Sequence, residues 1–179
     1  MKYGTPSKLP DGRYFLKVTD DSDGRVFHQV NSVQYTPGEN YQVNLKVTDV
    51  DFFSALDEQI LAQAKESKQS WFGKEVSDET VLSAYQKSVN PDGVLEATLA
   101  TVKGEVVTTA YDSQKNTIEL PTAAQKVDLW LELTGLVFSK RSFEPVWKVI
   151  QVRTKTTANK FPREYMFKDD PEDDPMDLL

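Results

Sequence analysis

The chain has 179 residues, a formal net charge of −7, 39% hydrophobic and 11% aromatic residues, and no cysteine. This is enough for one well-cored domain, and the missing cysteines exclude disulfides, thiol catalysis and a thiolate metal site. No apolar run approaches the roughly 20 residues that span a bilayer, and MKYGTPSKLPDG has no signal-peptide core, so a reducing intracellular setting is expected.

The acidity is unevenly spread. Asp169, Asp170, Glu172, Asp173, Asp174 and Asp177 fall in 169–179 without a base, so 22 of the 28 acids face all 21 basic residues in 1–168. The body is therefore close to neutral and free to present one basic face. Residues 1–167 are expected to form the folded domain, and 168–179 a disordered acidic appendage.

In chain order, GRYFLKVT (12–19) alternates, with Tyr14, Leu16 and Val18 on one face and Arg13, Phe15 and Lys17 on the other. DDSDGR is a turn, RVFHQV (25–30) alternates again, and YQVNLKVT (41–48) sets Tyr41, Val43, Leu45 and Val47 against Gln42, Asn44, Lys46 and Thr48. A helical insertion over about 51–89 follows. Apolar residues at 53, 56, 60 and 64 form the stripe of one helix, and SDETVLSAYQKSV (77–89) starts a second at the N-cap Ser77, with Val81, Leu82 and Tyr85 inward. NPDG ends it. Strands return at 94–102 and 105–111, and then at 127–139 and 145–155, which flank the basic loop KRSFE. Gly135 inside a strand marks a bulge or bend. The whole reads as mainly β (α+β): an OB-like antiparallel barrel with a two-helix insertion after the third strand. In that fold the helix lies between strands three and four.

Little in the sequence supports catalysis. His28 is the lone histidine, placed in an alternating strand without histidine or cysteine partners, which suits a structural or surface role. TDDSDGRV spaces Asp21, Asp23 and Gly24 like a calcium loop, but Thr19 and Val30 stand where acids are needed, so a hairpin turn fits better. Asp49 and Asp51 suit a strand end and a helix start better than a metal pair. No cofactor is implied.

Single-stranded nucleic acid needs cations that follow phosphates and exposed rings on which bases stack. Arg13, Phe15 and Lys17 offer both on one strand, Lys46 adds a cation, and Trp130, Phe138, Lys140, Arg141, Phe143, Trp147, Lys148, Arg153 and Lys155 surround one hairpin. Strand tryptophans are also ordinary core residues, so Trp71, Trp130 and Trp147 stay open between core and platform. SWFGK (70–74) is either a loop staple or a lid over a groove, the staple being the simpler account.

DGRYFLKV, SWFGK with SDETVLSAY, and LWLELTGLVFSKRSFEPVWKVIQVR together resemble the OB-fold single-stranded-DNA-binding proteins of large nucleocytoplasmic DNA viruses, over about residues 11–155. The resemblance implies a non-enzymatic barrel that coats single-stranded DNA in replication or recombination, in a host nucleus or a cytoplasmic replication compartment. The tail is similar to those of bacterial and phage single-strand-binding proteins, although it ends in Leu-Leu rather than a proline and an aromatic. Two roles stand for it: Asp173, Asp174 and Asp177 with Met176, Leu178 and Leu179 regulate access or dock replication proteins, or the segment only solubilises. The rival function is a virion or scaffold protein-interaction module on the same barrel.

Overall fold

The computed structural model describes residues 1–155. In chain order its elements are β1 (Lys2–Tyr3), β2 (Ser7–Lys8), β3 (Tyr14–Thr19), β4 (Val26–Pro37), β5 (Gln42–Lys46), α1 (Asp51–Glu66), α2 (Lys68–Phe72), α3 (Asp78–Ala84), β6 (Val94–Leu99), β7 (Thr101–Val102), β8 (Glu105–Val106), β9 (Thr109–Tyr111), β10 (Thr117–Ile118), β11 (Gln125–Phe138) and β12 (Phe143–Thr154).

Five strands close on themselves in the order β4, β5, β6, β12, β11 and back to β4. Every contact in the ring is antiparallel except β6 with β12, which is parallel. This is an OB-like barrel. The first predicted strand, β3, lies outside the ring and pairs with the far half of β11. As a result the helices, which do follow the third predicted strand, enter between the second and third barrel strands rather than between the third and fourth.

Alternation explains most of the core. Leu16, Val18, Val43, Leu45, Val47, Leu129, Leu131, Leu133, Val149 and Val152 are all buried. Phe53, Leu56, Ile60 and Ala64 bury the expected stripe of α1. Three residues assigned to the inner side are not there: Tyr14 is 45% exposed, Tyr41 49% and Leu82 48%. Tyr14 lies at the strand end, and Tyr41 sits in the loop before β5 with φ 64°. The second predicted helix is α3, which does begin at the cap Ser77, whose Oγ accepts the Thr80 N–H, but it stops at Ala84, and the short α2 lies between it and α1. Tyr85 then turns extended and forms a bridge to Phe143. The expected strand 105–111 is split, with β7 and β8 forming a separate hairpin.

Buried polar groups anchor the insertion to the barrel. Asp57 accepts hydrogen bonds from Tyr85 Oη at 2.7 Å, Ser88 Oγ at 2.7 Å and the Ser88 N–H, while Trp147 Nε1 donates to Ser88 Oγ at 3.3 Å. Burial, and then the Asp57 carboxylate beside it, push the Tyr85 phenol well above its ordinary range. His28 stacks on Phe52 with ring centroids 3.4 Å apart and meets Phe53 edge-on, so the only histidine has a packing role. The Asp-rich turn after β3 is closed by the Asp20 carboxylate, which accepts the Ser22 and Gly24 N–H groups.

Candidate nucleic-acid interface

The outward face is built on β11, 14 residues long. Directly paired antiparallel residues share a face. Trp130 is paired with Gln29 on one side and Gln151 on the other, Glu132 with Phe27 and Lys148, Asp128 with Arg153, Gly135 with Lys17, and Val137 with Phe15. One continuous surface therefore carries Lys155, Arg153, Trp130, Phe27, Arg25, Lys148, Lys17, Phe15 and Arg13 from end to end. At about 3.3 Å per residue it is about 45 Å long.

Its centre is aromatic. Trp130 is 42% exposed and Phe27 43%, and the two rings meet edge to face with centroids 6.5 Å apart. The Arg25 guanidinium lies 4.9 Å from the Phe27 centroid and donates to Glu132 through Nε and Nη2 at 2.7 and 2.6 Å. Beside Trp130, a hollow of about 290 Å³ is lined by Gln29, Tyr111, Lys115, Gln151 and Arg153.

Carboxylates position the cations at the far end. Arg153 Nη2 lies 2.8 Å from Asp128 Oδ2, and Lys155 Nζ reaches Asp128 Oδ1 at 3.5 Å and Ser32 Oγ. Burial raises the Asp128 carboxyl, but Arg153, the Ser32 N–H and Lys155 outweigh it and hold the group below the usual carboxylate range. Arg13 is held by Asp11 at 2.7 Å. Lys17 and Lys148 form no salt bridge among the described residues.

Register brings Arg13, Phe15, Lys17, Trp130, Lys148, Arg153 and Lys155 onto this surface. Lys46 lies further round the barrel, paired to Gln34, which in turn pairs with Lys126. Lys140 and Arg141 sit apart in the hairpin loop, on the rim of a groove facing α2 and α3. Three of the expected stacking rings are core residues: Phe138 and Phe143 stack on each other with centroids 5.4 Å apart, and Trp147 meets Phe53 inside the barrel. Their positions face inward in the alternation, so they offer no ring to the outward face. Trp71 is likewise buried, between Tyr3 and Phe138, as a staple. Asp173, Asp174, Met176, Asp177, Leu178 and Leu179 lie outside the described residues.

Sequence reasoning missed Arg25, Phe27, Gln29 and Gln151. The signal was present, since Arg25, Phe27 and Gln29 alternate with Val26, His28 and Val30 as Arg13, Phe15 and Lys17 do with their neighbours.

The chain is similar to the single-stranded DNA-binding protein from bacteriophage Enc34, at 14% identity over 91% of this chain and 94% of that one, with a TM-score of 0.48. A second structure of the Enc34 protein, in complex with ssDNA, is similar at 13% identity over 88% and 98%, with a TM-score of 0.41. The single-stranded DNA binding protein gp2.5 encoded by bacteriophage T7 is similar at 14% identity over 77% and 98%, with a TM-score of 0.45. No curated protein matches the sequence. Residues 30–169 match the profile of the Family of unknown function (DUF5871), and the chain belongs to that family.

Proposed function

We propose that the chain binds single-stranded DNA along the outward face of β11 and coats it without reading its sequence. The observation that carries this is the exposed Trp130–Phe27 pair at the middle of a row of cations. Stacking on such rings contributes about 1–3 kcal/mol per base and tolerates any base, while flanking cations release counterions from the phosphates. Gln29 and Gln151 border the rings with amides that bond to sugar, phosphate or base edges alike. The role is one of binding alone, with no chemical step.

The wider setting belongs to the same proposal. Coating would serve replication or recombination, in the nucleus or cytoplasmic replication compartment that the resemblance to proteins of large nucleocytoplasmic DNA viruses implies. The tail would then tune access to the cations, or present Met176, Leu178 and Leu179 to replication proteins.

Intrinsic fluorescence tests the reading directly, because Trp71 and Trp147 are buried and Trp130 is exposed. Titration with oligo-dT is expected to quench the Trp130 emission, with an affinity that falls as salt rises, and an equal length of duplex is expected to bind far less. If neither oligonucleotide binds, the barrel is a protein-interaction module and the proposal fails.

A further inference from the structure

Beyond the end of this face lies a groove of about 520 Å³ between α2, α3 and the β11–β12 hairpin. Its walls include Tyr14, Phe72 and Phe138, and its rim carries Lys74, Lys140 and Arg141. Phe72 packs edge-on against both members of the stacked Phe138–Phe143 pair, so the floor is a fixed aromatic surface. Tyr14 is the exposed ring of the wall. None of the three rim cations forms a salt bridge with a carboxylate on the rim, and Lys74, Lys140 and Arg141 form none among the described residues.

The groove opens at the same end of β11 as the proposed DNA face but on the other side of β3, since successive strand side chains point to opposite faces. Tyr14 stands between Arg13 and Phe15, whose side chains belong to that face, and it pairs with Phe138, the last residue of β11. A strand that follows β11 to its end and turns round the hairpin loop meets Lys140 and Arg141 at the mouth. Its volume is that of a site for a small molecule rather than a packing defect. A nucleotide ties a flat ring to an anion at a fixed short distance, which is the pairing that aromatic walls and a cationic rim present. Ser139, Ser142 and Thr80 add hydroxyls within the lining for a base edge.

We infer that this groove takes one unstacked base of the bound single strand, with the adjoining phosphates on Lys140 and Arg141. The inference rests on the proposed function and adds a fixed point to a surface that otherwise lets the strand slide. It gives the bound oligonucleotide a register and a preferred end.

The test uses the full chain and oligo-dT of about ten nucleotides, within the ~4–16 covered by one barrel, carrying a single 2-aminopurine at each position in turn. Acrylamide quenching reports how far each base is enclosed. One position near an end of the oligonucleotide is expected to be shielded beyond all others, and K140A/R141A and Y14A each to re-expose that base alone. The double substitution is expected to weaken binding about tenfold. Both variants change surface residues, and unchanged circular dichroism confirms their fold. Equal shielding at every position, or shielding that neither variant moves, overturns the inference while leaving the coating function intact. If a synthetic peptide of residues 168–179 fills the groove without altering any base's shielding, the groove is a peptide site and the inference falls. If no oligonucleotide binds, the proposed function falls and takes this inference with it.

Discussion

Trp130 and Phe27 sit on neighbouring strands, touch edge to face at 6.5 Å, and still leave two-fifths of each ring's residue to solvent. A folded chain gains little stability from such a pair, since much of its apolar area stays wet. A ligand with flat apolar faces gains a great deal. Trp130→Ala is therefore expected to weaken oligo-dT binding by about 1–3 kcal/mol, roughly 5- to 150-fold. Its urea midpoint should stay near that of the parent, as surface substitutions usually move stability by no more than about 0.5 kcal/mol. Fluorescence anisotropy of a labelled oligonucleotide measures the first, and a denaturation curve the second. Parental affinity in the variant would move the site off this face.

Lys17 and Lys148 flank the outward face on β3 and β12. If both meet phosphates, K17A/K148A removes two counterion-release events. For single strands the log–log salt slope should then flatten by about 1.4. Anisotropy at a series of salt concentrations gives the slope directly. A slope that does not change would place the phosphates elsewhere, whatever happens to the affinity at a single salt.

The barrel was legible because alternation is a strong signal: the inner side of β5 and of the first half of β11 reads as an unbroken set of aliphatics, Val43 and Leu45, then Val127, Leu129, Leu131 and Leu133. The interface was legible in its cations but only partly in its rings. Aromatic identity does not say which way a strand faces, and Phe138, Phe143 and Trp147 fall on the inner side of a hairpin whose bulges shift the count. The register shift between Trp130 and Leu131 and the one between Leu133 and Gly135 break the two-residue period that a sequence pattern assumes. Phe27 was passed over because its strand was judged by the histidine next to it. The barrel position of the helices was not readable either, since nothing in GRYFLKVT says that it pairs outside the ring.

Gly135 is the tightest point of that bulged strand. A Cβ built there would lie 2.2 Å from the Leu16 carbonyl oxygen and 2.5 Å from Phe15 Cζ. The first of these is backbone and cannot swing aside. Gly135→Ala is expected to destabilise the fold by about 3 kcal/mol or more, the upper range for overpacking, by forcing β3 off β11. Urea denaturation measures this. A loss under about 1 kcal/mol would mean that β3 docks more loosely than its register implies.

Burial beneath Phe52 and Phe53 lowers the His28 pKa from 6.5, with Asp49 opposing the shift. The unfolded chain therefore takes up a proton at higher pH than the folded one. Stability is complete above about pH 6.5 and is lost as pH falls through the folded value. His28→Phe keeps the stack on Phe52 and removes the titration. Between about pH 7 and pH 5, the stability difference between parent and H28F should shift in favour of the variant. Parallel curves would mean that His28 is as well solvated folded as unfolded.

Tyr3 makes the opposite alkaline prediction. Its Oη is buried without a hydrogen-bond partner among the described residues, and burial lifts the phenol from 10.0 to about 12. Burial also raises Tyr35 and, together with Asp57, Tyr85. Unfolded phenols ionise near pH 10 while these three keep their protons, so stability holds below that pH and falls as pH rises toward the folded values. Tyr3→Phe deletes an unsatisfied hydroxyl and keeps the ring contact with Trp71, whose centroid is 5.3 Å away. The variant should be more stable than the parent by about 1 kcal/mol at neutral pH, the scale of a buried group relieved of an unmade hydrogen bond. Above about pH 10 its advantage should widen, because one of the three protonation constraints is gone. Urea midpoints at neutral and alkaline pH decide it: a Y3F chain less stable than the parent would show that the hydroxyl has found a partner in solution, and that α2 is held to the N-terminal strand by that bond as well as by the ring.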